Sequence, residues 1–246
     1  MDIIISAVAN RTGSTLVQRI FNARRKTLIW GEHGGIVSEF VRIGELAGYF
    51  SIQGREEKEA YFKSGENPNT WIANMSPDLI RVREGIVQGV RACFSAMYAE
   101  YRDSHDRIGF KEVRYGKPEI ELLKTCYPDA VIVLLVRHPV DVWKSETSYW
   151  SGDAGLFART WNERALQYAE LRDPGRGIHL LRYEELVERD ETALGLLEEL
   201  ADVSRDEIDN VLNVSLNSTR TERAAIDIEQ IRAMCQEGME RLRYMD

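Results

Sequence analysis

An apolar run from Ile3 to Val8 leads into a polar turn, Asn10 to Ser14, and beyond it Leu16, Val17, Ile20 and Phe21 recur at helical spacing. A short unbroken apolar run suits a strand covered on both faces, and the repeat that follows suits an amphipathic helix. The plan then repeats: Lys26 to Gly31 predicts a second strand, Glu32 to Gly35 a turn, and Ile36 to Phe50 a helix with Val37, Phe40, Val41 and Leu46 on one face. Ser51 to Thr70 is polar and loses periodicity around Ser64 to Asn69, which predicts a surface excursion, with residues 51–75 as a lid or acceptor segment. Ser76-Pro77-Asp78 predicts a helix start, Ser76 capping and Pro77 in the first turn. The helix runs through Tyr98 on a buried stripe of Leu79, Val82, Ile86, Val90, Phe94 and Met97.

Further strands are predicted at Asp106 to Lys111, at Ala130 to Val136 and at Ile178 to Arg182. The middle one is the clearest, rich in β-branched residues. Helices are predicted from Pro118 to Cys126, Val140 to Trp150, Phe157 to Leu171, Thr192 to Leu200, Arg205 to Leu212 and Asp227 to Tyr244. Strands alternating with helices make this an α/β chain with a mainly parallel central sheet flanked by helices and joined by right-handed crossovers. Its 246 residues are expected to form a single domain, 1–246. Ligands on such sheets bind beyond the carboxyl ends of the strands. The loops there, Asn10 to Thr15, Glu32 to Gly35, Lys111 to Tyr115 and Arg137 to His138, each carry charge and are expected to converge.

Charge and cysteine usage narrow the chemistry. A net charge of −8 argues against nucleic-acid binding through the overall field, so any anion site has to be built locally. Cys93, Cys126 and Cys235 are widely spaced, without a CxxC pair, and His33, His105, His138 and His179 lack metal-ligand spacing, so neither a disulfide framework nor a metal is expected. No run of about 18 uncharged apolar residues offers a membrane span. A reducing, cytoplasmic location without a leader or membrane anchor is the expectation.

The first loop is an anion cradle in outline: a helix start with free amides, Gly13 for close approach, and hydroxyls on Ser14 and Thr15. It lacks Gly-x-x-x-x-Gly-Lys-Ser/Thr and Gly-x-Gly-x-x-Gly. Arg11-Thr-Gly-Ser-Thr15 instead resembles the 5′-phosphosulfate loop of sulfotransferases that use 3′-phosphoadenosine 5′-phosphosulfate (PAPS). Val136-Arg-His-Pro-Val-Asp-Val-Trp-Lys-Ser145 resembles the same family's 3′-phosphate segment, with Arg137 and Ser145 at its arginine and serine positions. The resemblance departs from the usual pattern at Asn10, where proline is common, and at His138, where Asp or Asn is common.

The resemblance implies a P-loop-like sulfotransferase fold and sulfuryl transfer from PAPS to a hydroxyl acceptor by in-line displacement, with no metal. Leu28 to His33 resembles the strand end of the tyrosylprotein sulfotransferases, which implies Glu32 as general base, its pKa lifted by partial burial; His33 competes for that role and Glu112 is a fallback. Arg11 is implied at the leaving 5′-phosphate oxygen and Lys111 at a sulfuryl oxygen, with the Thr12 to Thr15 amides completing the cradle. Tyr183-Glu-Glu-Leu-Val187 resembles a later segment on the nucleotide side, and Ser218 or Arg220, within a loop at 213–225, is expected to close on the cofactor. The acceptor is left open among small molecules, carbohydrates and tyrosyl peptides, since Trp30, Tyr49, Phe50, Tyr61, Trp71, Tyr149 and Trp150 suit any of them or the core; oligomeric state is equally open. Two other readings compete, a kinase-like phosphotransferase using magnesium and ATP, and a non-catalytic nucleotide-binding module.

Overall fold

A computed structural model describes residues 1–65, 76–145, 152–214 and 222–244. Strands β1 (Ile3–Ala7), β2 (Thr27–Trp30), β3 (Arg107–Glu112), β4 (Val131–Val136) and β5 (Ile178–Arg182) form one sheet in the order β2-β3-β1-β4-β5. Every pairing is parallel. The pleat sorts β1 and β4 by alternate residues. Ile4, Ile132, Leu134 and Val136 face one core layer, and Ile3, Ile5, Ala7, Val133 and Leu135 face the other. Each fully buried isoleucine contributes about 1.5–3 kcal/mol.

The second layer is closed by α1 (Ser14–Ala23), α8 (Tyr183–Val187), α9 (Glu191–Ala201) and α10 (Arg205–Asn213). The first is closed by α4 (Leu79–Met97), α5 (Lys117–Cys126), α6 (Pro139–Ser145), α7 (Ala154–Leu171), α11 (Ala225–Met234) and α12 (Gln236–Arg241). α2 (Ile36–Ile52) lies antiparallel to α4, with Gly89 against Phe40, Gly44 against Ile86 and Gly48 against Leu79.

Four sequence expectations are corrected. Residues 51–65 are not a plain excursion, because Arg55–Ser64 forms helix α3. Its stability comes from polar sources: Glu56 and Glu57 in the first turn, Lys63 in the last, an Arg55–Glu59 pair at 3.0 Å, and glycines at both ends. Residues 66–75 lie outside the described residues. α4 starts two residues late: Asp78 is its cap position, while the Pro77 carbonyl accepts from Ser51 Oγ at 2.6 Å and Asp78 pairs with Lys58 at 2.5 Å. Met97 is exposed at 45%, because the last turn of α4 rolls Tyr98 inward instead, stacked on Phe94 and Phe110. The terminal helix breaks at Cys235, whose buried Sγ donates to the Ala158 carbonyl. That break lets Gly238 approach α7, where Asn162 Oδ1 accepts its amide at 2.8 Å.

Candidate active site

Because all five strands point the same way, their carboxyl ends stand in a row. In spatial order the row reads Glu32 beyond β2, Lys111 on β3, the Arg11 loop beyond β1, Arg137 beyond β4 and Tyr183 beyond β5. At the usual strand spacing it spans roughly 19 Å. The β1 loop occupies the middle, where the chain order switches direction.

That loop leaves the sheet after Val8, whose amide still bonds the Leu135 carbonyl at 2.9 Å. Thr12 Oγ1 closes the turn by donating to the Ala9 carbonyl at 2.6 Å. Arg11 (φ 66) and Gly13 (φ 98) are both left-handed. For arginine this is strained backbone, which concentrates at functional sites. α1 then begins at Ser14 with no side-chain cap and no acidic residue in its first turn, so its positive end faces the loop uncompensated. Ser14 is buried and Thr15 exposed.

A methyl group on Gly13 would overlap the Tyr183 ring. Gly13→Ala is therefore expected to lose about 1–3 kcal/mol of stability and to distort the loop, read as a lowered denaturation midpoint together with weaker nucleotide binding. An unchanged midpoint would mean that the ring does not stand over the loop.

On the β4 side Arg137 is almost wholly buried. Its Nη1 donates to the Arg11 carbonyl at 2.9 Å, its guanidinium lies 4.4 Å from the Tyr183 ring centroid, and Trp161 Nε1 holds its carbonyl at 3.1 Å. Among the described residues its buried Nε has no hydrogen-bond partner. Arg11 Nε reaches across to the Ser145 carbonyl at 3.0 Å. The two motifs singled out in the sequence thus meet through Arg11, Arg137 and Ser145. Ser145 does not donate from a helix start: it is the last residue of α6, and its hydroxyl is turned back to the Val142 carbonyl at 3.0 Å. Ser218 and Arg220 lie outside the described residues.

On the β2–β3 side Glu32 is shared by two cations. Lys111 Nζ reaches Oε1 at 2.6 Å and Arg114 Nη1 reaches Oε2 at 3.0 Å. Burial pushes the Glu32 carboxyl up, but the hydrogen bonds and charges of Lys111 and Arg114 outweigh it and hold the group below its ordinary value. The expected upward shift is therefore corrected. His33 is turned inward, with 6% of its side chain exposed, against Phe94 and Phe110, and burial lowers its pKa. Glu112 is fully buried; it accepts from the Gly35 and Val113 amides at 2.8 Å each and pairs with Arg114. Of the three candidate bases, Glu32 alone meets the open edge, with 32% of its side chain exposed.

A family model described as the sulfotransferase family matches residues 4–207. The chain belongs to the sulfotransferase family. The sulfotransferase domain from the Synechococcus PCC 7002 olefin synthase shares this fold, with a TM-score of 0.55 and 16% identity over 100% of this chain and 95% of that one. The sulfotransferase domain from the curacin biosynthetic pathway does so with a TM-score of 0.51 and 16% identity, over 99% of this chain and 98% of that one. No curated protein sequence matches it.

In this sulfotransferase several site residues escaped the sequence reading. Arg114 ties Glu32 to Glu112. Arg164, on α7, donates to the Val8 and Val113 carbonyls at 3.2 and 3.1 Å and so fixes the β1 and β3 ends to each other. Glu184 accepts from the His138 amide at 2.9 Å and from Tyr244 Oη at 2.9 Å, anchoring the turn after Arg137. Arg223 donates to the Trp143 carbonyl at 3.1 Å and lies over its ring, bringing the end of the late polar segment onto α6. Arg114 carried a visible signal, a second cation three residues beyond Lys111, and Glu184 lies in the segment singled out at Tyr183; Arg164 and Arg223 act from distant positions on backbone carbonyls. Among the described residues no cluster of His, Cys, Asp and Glu is placed to hold a metal ion, and no described helix is long and apolar enough to cross a membrane.

Proposed function

We propose that this sulfotransferase moves the sulfuryl group of PAPS to a hydroxyl acceptor, with Glu32 as general base. The observation that carries the reading is Arg137, a buried arginine whose Nε has no partner among the described residues, bonded to the loop that precedes the uncapped α1. A planar guanidinium with a donor to spare suits a second phosphate beside the one cradled by α1. Arg11, Lys111, Arg114 and Arg137 also concentrate positive charge on one edge of a chain whose net charge is −8.

In this reading Arg137 and Tyr183 hold the nucleotide side, with Ser145 beside them. The amides from Thr12 to Thr15 cradle the 5′-phosphosulfate, and Arg11 takes the charge that grows on the leaving phosphate oxygen. Lys111 faces a sulfuryl oxygen. The acceptor oxygen bonds to sulfur as the bond from sulfur to the 5′-phosphate oxygen breaks, the acceptor proton passes to the Glu32 carboxylate, and adenosine 3′,5′-bisphosphate departs. Residues 1–246 act as one domain in this proposal, since α11 and α12, beyond the matched region, pack on α7 and share its core. Residues 51–75 and 213–225 are the segments assigned to acceptor access and cofactor closure. Cys126 and Cys235 are buried free thiols, which suits a reducing, cytoplasmic setting.

The test is transfer of label from sulfur-labelled PAPS to a panel of phenols, sugars and tyrosyl peptides in the presence of a metal chelator. Labelled product is expected with one class. Magnesium-dependent use of ATP in its place would overturn the reading.

A further inference from the structure

The two cations on Glu32 are held very differently. Among the described residues Glu32 is the sole partner of the Lys111 ammonium, which ends a four-carbon stem on the β3 position paired with Ile5 of β1. Arg114 is pinned from behind. Its Nη1 is shared between Glu32 and Glu112, and Glu112 is itself fixed by two backbone amides in a completely buried position. The Arg114 stem also packs on Gly35, where an added methyl would stand 3.1 Å from its Cδ. An anion entering the β1 loop competes with Glu32 for Lys111, the neighbour across β1, and has no comparable claim on an arginine already held by a buried carboxylate.

Resting on the reading that Glu32 is the base and Lys111 faces the sulfuryl group, we propose that Arg114 is the positioning residue that keeps Glu32 aimed at the acceptor while Lys111 exchanges from Glu32 to the entering donor. The exchange resolves a conflict in the site. A carboxylate gripped by two cations is a poor proton acceptor, as the lowered pKa of Glu32 records, yet a base must accept a proton in the transition state. Once Lys111 turns to the donor, one of the two opposing charges is gone and burial pushes the carboxyl upward. The base therefore strengthens only when there is a sulfuryl group to transfer. The other charged groups nearby do not reverse this sign. His33 faces Phe94 and Phe110 and is held toward its neutral form by burial, and Glu112 stands behind Arg114.

The experiment titrates Glu32 directly, in protein isotope-labelled at the glutamate carboxyl carbons, with its resonance identified by its loss in Glu32→Gln. The free protein is expected to titrate below the ordinary glutamate value of about 4.3, and PAPS without acceptor to raise the midpoint by about one unit. In Lys111→Met the midpoint is raised already, and PAPS moves it less than in the unaltered protein, by the donor's own negative charge alone. Arg114→Met is expected to lower kcat about 10²-fold with donor affinity held within about threefold, and Arg114→Lys to recover part of kcat. A midpoint that PAPS leaves unmoved in the unaltered protein would overturn the exchange, and full kcat in Arg114→Met would overturn the positioning role. Full turnover in Glu32→Gln would instead remove the base reading, while the Glu32 titration in unaltered protein still decides whether Lys111 exchanges.

Discussion

Glu32→Gln is expected to lower turnover about 10²–10⁴-fold while leaving the affinity for adenosine 3′,5′-bisphosphate within about threefold. Glutamine keeps the shape of the side chain and an oxygen for Lys111 or Arg114 but has no carboxylate to take the acceptor proton. Affinity is spared because Glu32 stands at the β2 end of the row, three strand positions from Arg137. Stability should change little, since the carboxylate is about one-third exposed, at 32%, and surface ion pairs contribute on the order of 0–1 kcal/mol. Single-turnover rates and calorimetric binding on the same preparation separate these outcomes. A variant with unaltered turnover would take Glu32 out of the chemistry, and with His33 and Glu112 both turned inward the proton would have to leave to solvent.

The second large effect is expected at Arg137. Removing its fork in Arg137→Ala should weaken adenosine 3′,5′-bisphosphate binding about 10–150-fold, the range for a lost hydrogen bond to a charged group of about 1.5–3 kcal/mol. Adenosine 5′-monophosphate, which lacks the second phosphate, should lose much less, so the ratio of the two affinities is the informative quantity. Some loss common to both ligands is expected, because Arg137 also holds the Arg11 carbonyl and stacks on Tyr183. Arg137→Lys keeps the charge without the planar fork and should recover only part of the discrimination. Equal losses for both nucleotides would mean that Arg137 supports the loop and does not touch the second phosphate.

Much of this architecture was legible because burial writes itself into the sequence at two periods. β4, covered on both faces, is an unbroken apolar run, and β5 was read at its observed bounds, Ile178–Arg182. α3 was missed for the opposite reason. Its residues Arg55–Ser64 bury little beyond Lys58, so the helix rests on propensity, end charges and glycine stops that a search for apolar stripes passes over. The start of α4 was misplaced because Pro77 and Ser76 are spent on Ser51 and Lys58, contacts made across α2 and α3 that no local cue contains.

The site was legible in its strand-end charges and less so in its wiring. Arg11, Glu32, Lys111 and Arg137 each follow a strand, and parallel pairing alone lines them up. That Glu32 would be held down by Lys111 and Arg114, where partial burial alone would have lifted it, depends on side-chain reach between β2 and β3. Ser145 likewise carried the right residue type, but its hydroxyl is bonded within its own helix.

Selectivity for two phosphates without a metal is the most direct consequence of placing Arg137 beside the β1 loop. Calorimetric titration with adenosine 3′,5′-bisphosphate and with adenosine 5′-monophosphate, both in chelator, is predicted to give an affinity for the bisphosphate greater by about 10-fold or more, as one charge-assisted contact requires. Equal affinities, or binding that appears only when magnesium is restored, would contradict it.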